Sequence, residues 1–469
     1  MLAGHDEFPK GLEEHLSSFL ARQRWFRRAQ VEGGAVHVRD AELLAEARPS
    51  LWWLLVDAGG STWQVLVGVR DEPAAAGLLD GQDAALIGPV EDAWGPAVAY
   101  DATVDGELCL HFAAVKLAVA GTRVRPVGAE QSNTSFVVDD RVIVKVFRRV
   151  LAGPNPEVEI ALALDRVGFN HLPAPAGHWR RADLDLDLAL AQEYLRGGAE
   201  GWALAMGSLR DLLELGAGVE AGQSADELVL RAGADFSPEA ARLGAMVAKL
   251  HGALGEAFGR SRAEPAAWAG SIRSELGALA ARVGGVGRED GGALAELLVA
   301  LPGAAQGLLE RLEGIGQAGS ATRVHGDLHL GQVMRADAGW FVLDFEGEPD
   351  RPLDQRRAVT SPAKDVAGML RSFDYAAAVA MRERATVTPW SRELARAWAR
   401  ANRRAFLRSY LAQPGHAQLL PSRLGDLEVL VAGFEVEKAA YEVGYELDHR
   451  PDWVDIPAAA IEELLATWR

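Results

Sequence analysis

From residue 200 to 469 the chain is Ala- and Leu-rich with helical periodicity, and it breaks that pattern once, near 320–350, with a loop region dense in Gly, His and Asp. A mainly helical half with one motif-dense loop region makes that loop the first place to look for chemistry. The preceding half has the opposite texture. Leu51-Trp-Trp-Leu-Leu-Val56 and Trp63-Gln-Val-Leu-Val-Gly-Val69 flank Ala58-Gly-Gly-Ser61, which predicts a hairpin in a mostly β segment from about 35 to 117. Leu12, Leu16, Phe19 and Leu20 recur at helical spacing and predict an opening amphipathic helix over 8–24 that docks on the chain behind it.

A second strand-rich segment runs from about 121 to 150. Phe136-Val-Val138, the turn Asp139-Asp140 and Val142-Ile-Val-Lys145-Val-Phe147 read as another hairpin. A helix starts directly after it: Asn155 suits the N-cap, Pro156 the first helical position, Glu157 and Glu159 the positive end of the dipole, and Gly168 its stop. A further strand is expected around Leu186–Glu193, and the Gly-rich patches at 215–223 and 283–292 as loops between helices. These readings divide the chain into 1–120, 121–197 and 198–469. Composition narrows the function classes. Lys and Arg total 48 against 66 Asp and Glu, a net charge of −18 that disfavours nucleic acid as a partner. Cys109 is the only cysteine, so no intrachain disulfide or zinc cluster is expected, in keeping with a reducing cytoplasm. No basic-then-apolar leader and no uninterrupted apolar run of ~18 residues is present, so neither export nor a membrane partner is expected.

The interruption reads Arg323-Val-His325-Gly-Asp327-Leu-His329-Leu-Gly-Gln332, then Trp340-Phe-Val-Leu-Asp344-Phe-Glu346-Gly-Glu348. Asp327 and Gln332 have the separation of a kinase base and a metal-binding amide, and Asp344 follows an apolar run where a strand would deliver a second carboxylate. That set suits phosphoryl transfer: Asp327 takes the acceptor's proton, while Gln332 and Asp344 hold Mg²⁺ against ATP. Lys145 lies on an apolar strand, as a phosphate-anchoring lysine does, with Glu159 on the next helix as its expected partner and Glu157 as the rival. No G-x-G-x-x-G precedes it. Gln131-Ser132-Asn133-Thr134-Ser135 stands there instead, offering hydroxyls and backbone N–H groups to phosphates. Glu193 and Leu195 close this segment as a hinge that would meet adenine.

These blocks resemble the catalytic regions of aminoglycoside-phosphotransferase-like small-molecule kinases. With Gly128–Ser135, Lys145–Arg149, Gly153–Pro156, Ser361-Pro362, Asp365–Tyr375 and Glu437-Lys438…Tyr441-Glu442 added, they resemble bacterial maltokinases. The resemblance implies an α+β, bilobal kinase-like fold, with a β-rich N-lobe, a mainly helical C-lobe and an additional N-terminal β-rich cap. It implies ATP- and Mg²⁺-dependent phosphorylation of maltose at the anomeric hydroxyl, giving maltose 1-phosphate for α-glucan synthesis. Carried over residue by residue, Glu346 becomes a further metal-side carboxylate. His325, Arg371, Asp374, Tyr375, Glu437, Lys438 and Tyr441 become the sugar contacts, with 371, 374 and 375 on one helical face and 437, 438 and 441 on another. A kinase of glucosamine, another amino sugar or an aminoglycoside is the alternative on the same scaffold, since the nucleotide-binding blocks are shared. The tail Tyr445–Pro457 favours maltose by the same resemblance. The absence of Ala-Pro-Glu after Asp344-Phe-Glu argues against a protein kinase. Nothing in the sequence sets an oligomeric state, and a monomer is the default expectation.

Overall fold

The computed structural model describes residues 11–26, 36–92, 94–128, 132–217, 224–231, 236–284 and 292–468. Contacts divide the chain into two units, 1–162 with 173–196, and 163–172 with 197–469. The expected segment 1–120 and most of 121–197 lie in the first unit, and 163–172 lies in the second.

In the first unit, helix α1 (Glu13–Leu20) buries Leu16, Phe19 and Leu20, and Leu12 just before it is equally buried. It shares a core with strands β1 (His37–Ala45), β2 (Ser50–Ala58) and β3 (Ser61–Arg70), through Trp52, Leu54, Val56, Trp63 and Val65. The expected hairpin is present: β2 and β3 pair antiparallel from Ser50↔Val69 to Ala58↔Ser61. Gly59 and Gly60 both take positive φ, 57° and 70°, the conformation that a two-residue turn matched to sheet twist requires. Strands β4 (Leu86–Asp92) and β5 (Gly95–Asp101) complete the order β1-β2-β3-β5-β4. The β texture hid two helices, the short Glu72–Leu78 and a longer one. Gly106–Leu117 is a helix, α2, whose N-cap Asp105 accepts from Glu107 N and Leu108 N. It is apolar almost all round, so no helical period stands out in its sequence.

A second antiparallel sheet has the order β10-β11-β8-β7-β6, formed by β6 (Val124–Val127), β7 (Thr134–Val138), β8 (Val142–Val146), β10 (Pro175–Arg181) and β11 (Leu186–Glu193). The two-residue strand β9 (Arg149–Val150) pairs with β3, joining this segment to the first sheet. The junction is also polar. Arg148, 1% exposed, donates to Asp101 Oδ2 at 2.5 Å, Thr103 Oγ1 at 3.1 Å and Thr134 Oγ1 at 2.7 Å, with the Trp25 ring 4.9 Å from its guanidinium carbon. The Gln64 amide donates to the carbonyls of Phe147 and Leu188. Helix α3 (Pro156–Arg166) starts as expected, with Asn155 Oδ1 accepting from Glu157 N at 2.8 Å, and Gly168 follows its end at φ 74°.

The second unit is mainly helical: α4 (Gly201–Ala217), α5 (Ser237–Ala257), α6 (Pro265–Gly284), α7 (Ala363–Arg382), α8 (Pro389–Leu411) and α9 (Leu424–His449) are its longest elements. The polar interruption folds as a loop followed by the hairpin β12 (Val333–Ala336) and β13 (Gly339–Val342). One stretch among the described residues, Ala293–Glu313, has the length and apolarity of a membrane span. Pro302 lies inside it, and Leu298, Leu301, Leu308, Leu309 and Leu312 are buried against this unit. Most of the Gly-rich patches at 215–223 and 283–292 fall outside the described residues.

Candidate active site

Asp327 sits in the loop ahead of β12, and the backbone on either side of it is pinned from below. Asp365, in the first turn of α7 and 1% exposed, accepts from His325 N at 2.8 Å and from Gly326 N at 2.9 Å. A third donor is His251 Nε2 at 3.0 Å, and His251 Nδ1 meets the Tyr410 hydroxyl at 2.7 Å. Burial would push the Asp365 carboxyl up, but His251, His325 and the Gly326 N–H outweigh it and hold the carboxyl below its ordinary range. His325, expected as a sugar contact, has a different task. Its Nε2 donates to Leu343 O at 2.9 Å and its Nδ1 accepts from Asp327 N at 3.3 Å, so the ring ties the Asp327 loop to the residue before Asp344. At 1% exposure it has no surface to offer a sugar.

Asp344 follows the end of β13 at φ 59°, a left-handed conformation uncommon outside glycine. Strained backbone of this kind concentrates at functional sites. Gln332 Nε2 donates to Asp344 Oδ2 at 3.2 Å, so the two expected metal ligands lie together. Their donors, an amide and a carboxylate with Glu346 two residues on, are hard oxygen groups of the kind Mg²⁺ takes.

A cavity of about 580 Å³ opens beside Asp327. Of the expected sugar contacts, Tyr375, Lys438 and Tyr441 line it, together with Glu442, Tyr445, Glu446 and Trp453, which were not among the expected contacts. The signal was available. Positions 438, 441, 442, 445 and 446 of α9 follow the i, i+3, i+4, i+7, i+8 rule of one helical face. Tyr375 donates to Glu446 Oε1 at 2.7 Å, and the Tyr441 and Tyr445 rings stack at 6.5 Å. His329 also lines the cavity, and burial lowers its pKa, which favours the neutral imidazole.

Besides His325, three expected contacts are elsewhere. Arg371 is 2% exposed and donates to Glu442 Oε2 at 2.6 Å, supporting the cavity wall from behind. Asp374 accepts from Arg403 at 2.6 Å, in a cluster with Glu435. Glu437 is buried and accepts from Lys364 at 3.0 Å. Charged residues on these helices share a face in sequence, yet burial against neighbouring helices selects which of them reach the cavity.

In the first unit, Lys145 Nζ donates to Glu157 Oε2 at 2.8 Å, a direct contact with the rival of the expected Glu159. Two residues along a helix turn the side chain by about 200°, so the two carboxylates leave α3 in different directions. Glu157 is 3% exposed and Glu159 is half-buried. Glu157→Gln is expected to raise the KM for ATP about tenfold or more, and Glu159→Gln to change it less than threefold, on the scale of a lost charge-assisted hydrogen bond. The reverse order in steady-state kinetics would restore Glu159.

The hydroxyl-rich turn is partly committed to structure. Asn133 Oδ1 accepts from Arg148 N at 3.4 Å and Thr134 Oγ1 from Arg148 Nε, while Ser135 is buried opposite Lys145 in the sheet. Ser132 is exposed, and Gln131 lies outside the described residues. Glu193 N donates to Ala174 O at 2.8 Å, and the chain passes from one unit to the other between Arg196 and Gly197, one residue beyond Leu195.

A strand-borne Lys–Glu pair and an Asp loop followed by Asp344 after a short hairpin define a kinase-like phosphotransferase with a hydroxyl acceptor. Comparison with known proteins agrees. Residues 123–424 match the family described as "Phosphotransferase enzyme family", and residues 19–105 match "Maltokinase N-terminal cap domain". The chain belongs to this phosphotransferase family. It is 33% identical over 356 residues to a glucosamine kinase of Streptacidiphilus jiangxiensis, covering 73% of this chain and 74% of that one. It is 30% identical over 348 residues to a glucosamine kinase of Mycolicibacterium smegmatis, covering 73% and 79%. Among solved structures, a glucosamine kinase in complex with glucosamine, ADP and inorganic phosphate is similar at a TM-score of 0.64 and 25% identity, with 96% of this chain and 99% of that one covered. The expected β-rich cap with a kinase-like fold is thereby established.

Proposed function

We propose that this protein transfers the γ-phosphoryl group of ATP to a hydroxyl of a sugar, with an amino sugar of the glucosamine type as acceptor. The observation that carries the reading is the Asp327 carboxylate opening onto a cavity walled by Tyr375, Tyr441, Tyr445, Glu442 and Glu446. Aromatic faces suit the apolar side of a sugar ring, and carboxylates suit its hydroxyls and a cationic amino group. The named activity of the two relatives supports the amino sugar.

In this mechanism Asp327 accepts the proton of the attacking hydroxyl, and His325 and Asp365 hold its loop in place. Lys145, steadied by Glu157, meets the nucleotide's phosphates, with Ser132 and the backbone of 132–135 beside them. The strand end at Glu193 and Leu195 meets the adenine. Gln332 and Asp344 would hold Mg²⁺, with Glu346 as a further carboxylate; the ion, when bound, neutralises charge on the triphosphate. On this reading the kinase works in the cytoplasm, where ATP is at hand, and its segments 1–120, 121–197 and 198–469 serve as cap, nucleotide lobe and catalytic lobe.

A second reading, maltose giving maltose 1-phosphate for α-glucan synthesis, is favoured by the cavity's volume of about 580 Å³, more than a single hexose fills, and by the maltokinase-type cap. A coupled ADP-release assay with ATP, Mg²⁺ and glucosamine, maltose, glucose or an aminoglycoside separates them. Turnover is expected to be fastest with glucosamine. Turnover with maltose alone would install the second reading, and none above the acceptor-free rate would remove both.

A further inference from the structure

Lys438 was expected to touch the sugar, but its ammonium is already spoken for. From the middle of α9, Lys438 Nζ donates to Asp327 Oδ1 at 2.6 Å and to Glu348 Oε1 at 3.1 Å, and the Tyr441 ring centroid lies 4.7 Å away. An ammonium has three N–H donors. Two carboxylates and an aromatic face account for all of them. Glu348, 1% exposed, is fixed in turn by Arg351 and faces Lys364 at 4.0 Å. Burial would push Glu348 up, yet Lys438, Lys364 and Arg351 hold it down to about 2. Burial would likewise push Lys438 down, and Asp327, Glu348 and Glu442 more than reverse it.

The charges around Asp327 therefore form one chain, running from the base through Lys438 to Glu348 and on to Arg351, which also meets Glu275 and Glu437. Asp327 and Glu348 lie in loops 21 residues apart, and Lys438 comes from a helix 111 residues after Asp327. A single cation thus fixes the carboxylate in two directions that the backbone bonds at His325 and Gly326 leave open: rotation about its own side-chain bonds, and drift toward the cavity.

We infer that Lys438 is a positioning residue, which clamps the Asp327 carboxylate against Glu348 at the wall of the acceptor cavity and does not itself bind the sugar. The inference rests on Asp327 being the base. A positioning residue and a sugar contact fail differently. Misplacing a base by about 1 Å costs on the order of 10²-fold in rate, whereas a lost ground-state contact appears in KM.

The test is steady-state kinetics of Lys438→Met and Lys438→Ala with the sugar that the wild type turns over fastest, with ADP binding by calorimetry as the check on folding. Lys438→Met is expected to lower kcat about 10²-fold with the sugar KM within about threefold of wild type. Added ethylammonium is expected to restore part of the Lys438→Ala rate, which a packing role would not allow. If neither variant folds, Lys438→Arg keeps the cation with displaced donors and is expected to lower kcat while sparing KM. A raised sugar KM with kcat retained would return Lys438 to the sugar, and unchanged kinetics would remove it from the site; either overturns the inference. A wild type with no sugar-dependent turnover would overturn the reading of the site, and the inference with it.

Discussion

Asp327→Asn is expected to lower kcat by roughly 10³-fold, within the range that a positioned base contributes, while leaving nucleotide affinity near that of the wild type. The amide keeps the shape of the side chain and the backbone bonds that hold the loop, but it cannot take a proton. It also removes the charge that Lys438 faces at 2.6 Å, so the lysine is left with Glu348 as its anionic partner. ADP release in the sugar assay measures the first effect, and calorimetric titration with ATP measures the second. Retention of most of the turnover would strip Asp327 of its role, and loss of ATP binding would show that the substitution damages more than the base.

Asp365→Ala is expected to have the largest effect on stability. It deprives His325 N, Gly326 N and His251 of a shared acceptor in a site with almost no access to water. An unsatisfied buried donor costs roughly 1–3 kcal/mol. Three of them give a loss of at least about 3 kcal/mol, which for a chain of 469 residues is a fall in thermal midpoint of roughly 3 °C or more. Because the folded-state pKa of Asp365 lies below the ordinary carboxylate value, its contribution is complete above that value and disappears as pH falls through the lower, folded-state one. The gap in midpoint between wild type and variant is therefore widest near neutrality and narrows in acid. Calorimetry at neutral and acidic pH checks both points, and an unchanged midpoint at neutrality would show that the loop is held by other means.

Local signals carried much of the architecture. The hairpin across Gly59-Gly60, the cap at Asn155 and the strand at Leu186–Glu193 arise from short-range patterns, and the structure has each in place. Helix α2 was hidden because the contrast on which a helical period depends is missing from an apolar segment. The site divided along similar lines. Asp327, Gln332 and Asp344 stand close together in sequence, and Gln332 and Asp344 meet at 3.2 Å. Sugar contacts were harder to read. Whether Arg371 or Tyr375 faces the cavity depends on how α7 packs against its neighbours, and no spacing within α7 records that. Glu157 and Glu159 both suit the helix's first turn, and the contact of Lys145 with Glu157, the rival of the expected Glu159, is visible only in the fold. The acceptor sugar is least legible of all, because the wall of the cavity is set by packing between helices and not by a short motif.

Arg148 bears on how such a chain changes by inheritance. Its guanidinium sits in a dry pocket built from Asp101 and Thr103 on one side and Thr134 on the other, so neither half of that pocket is complete without the other. A gene that exchanged its first 105 codons with a relative would bring the charge to a surface selected for different company, and a gene that lost them would leave it without its carboxylate. The cap and the lobe behind it thus share one buried cation, and an exchange that renews one side of its pocket carries a cost at the other.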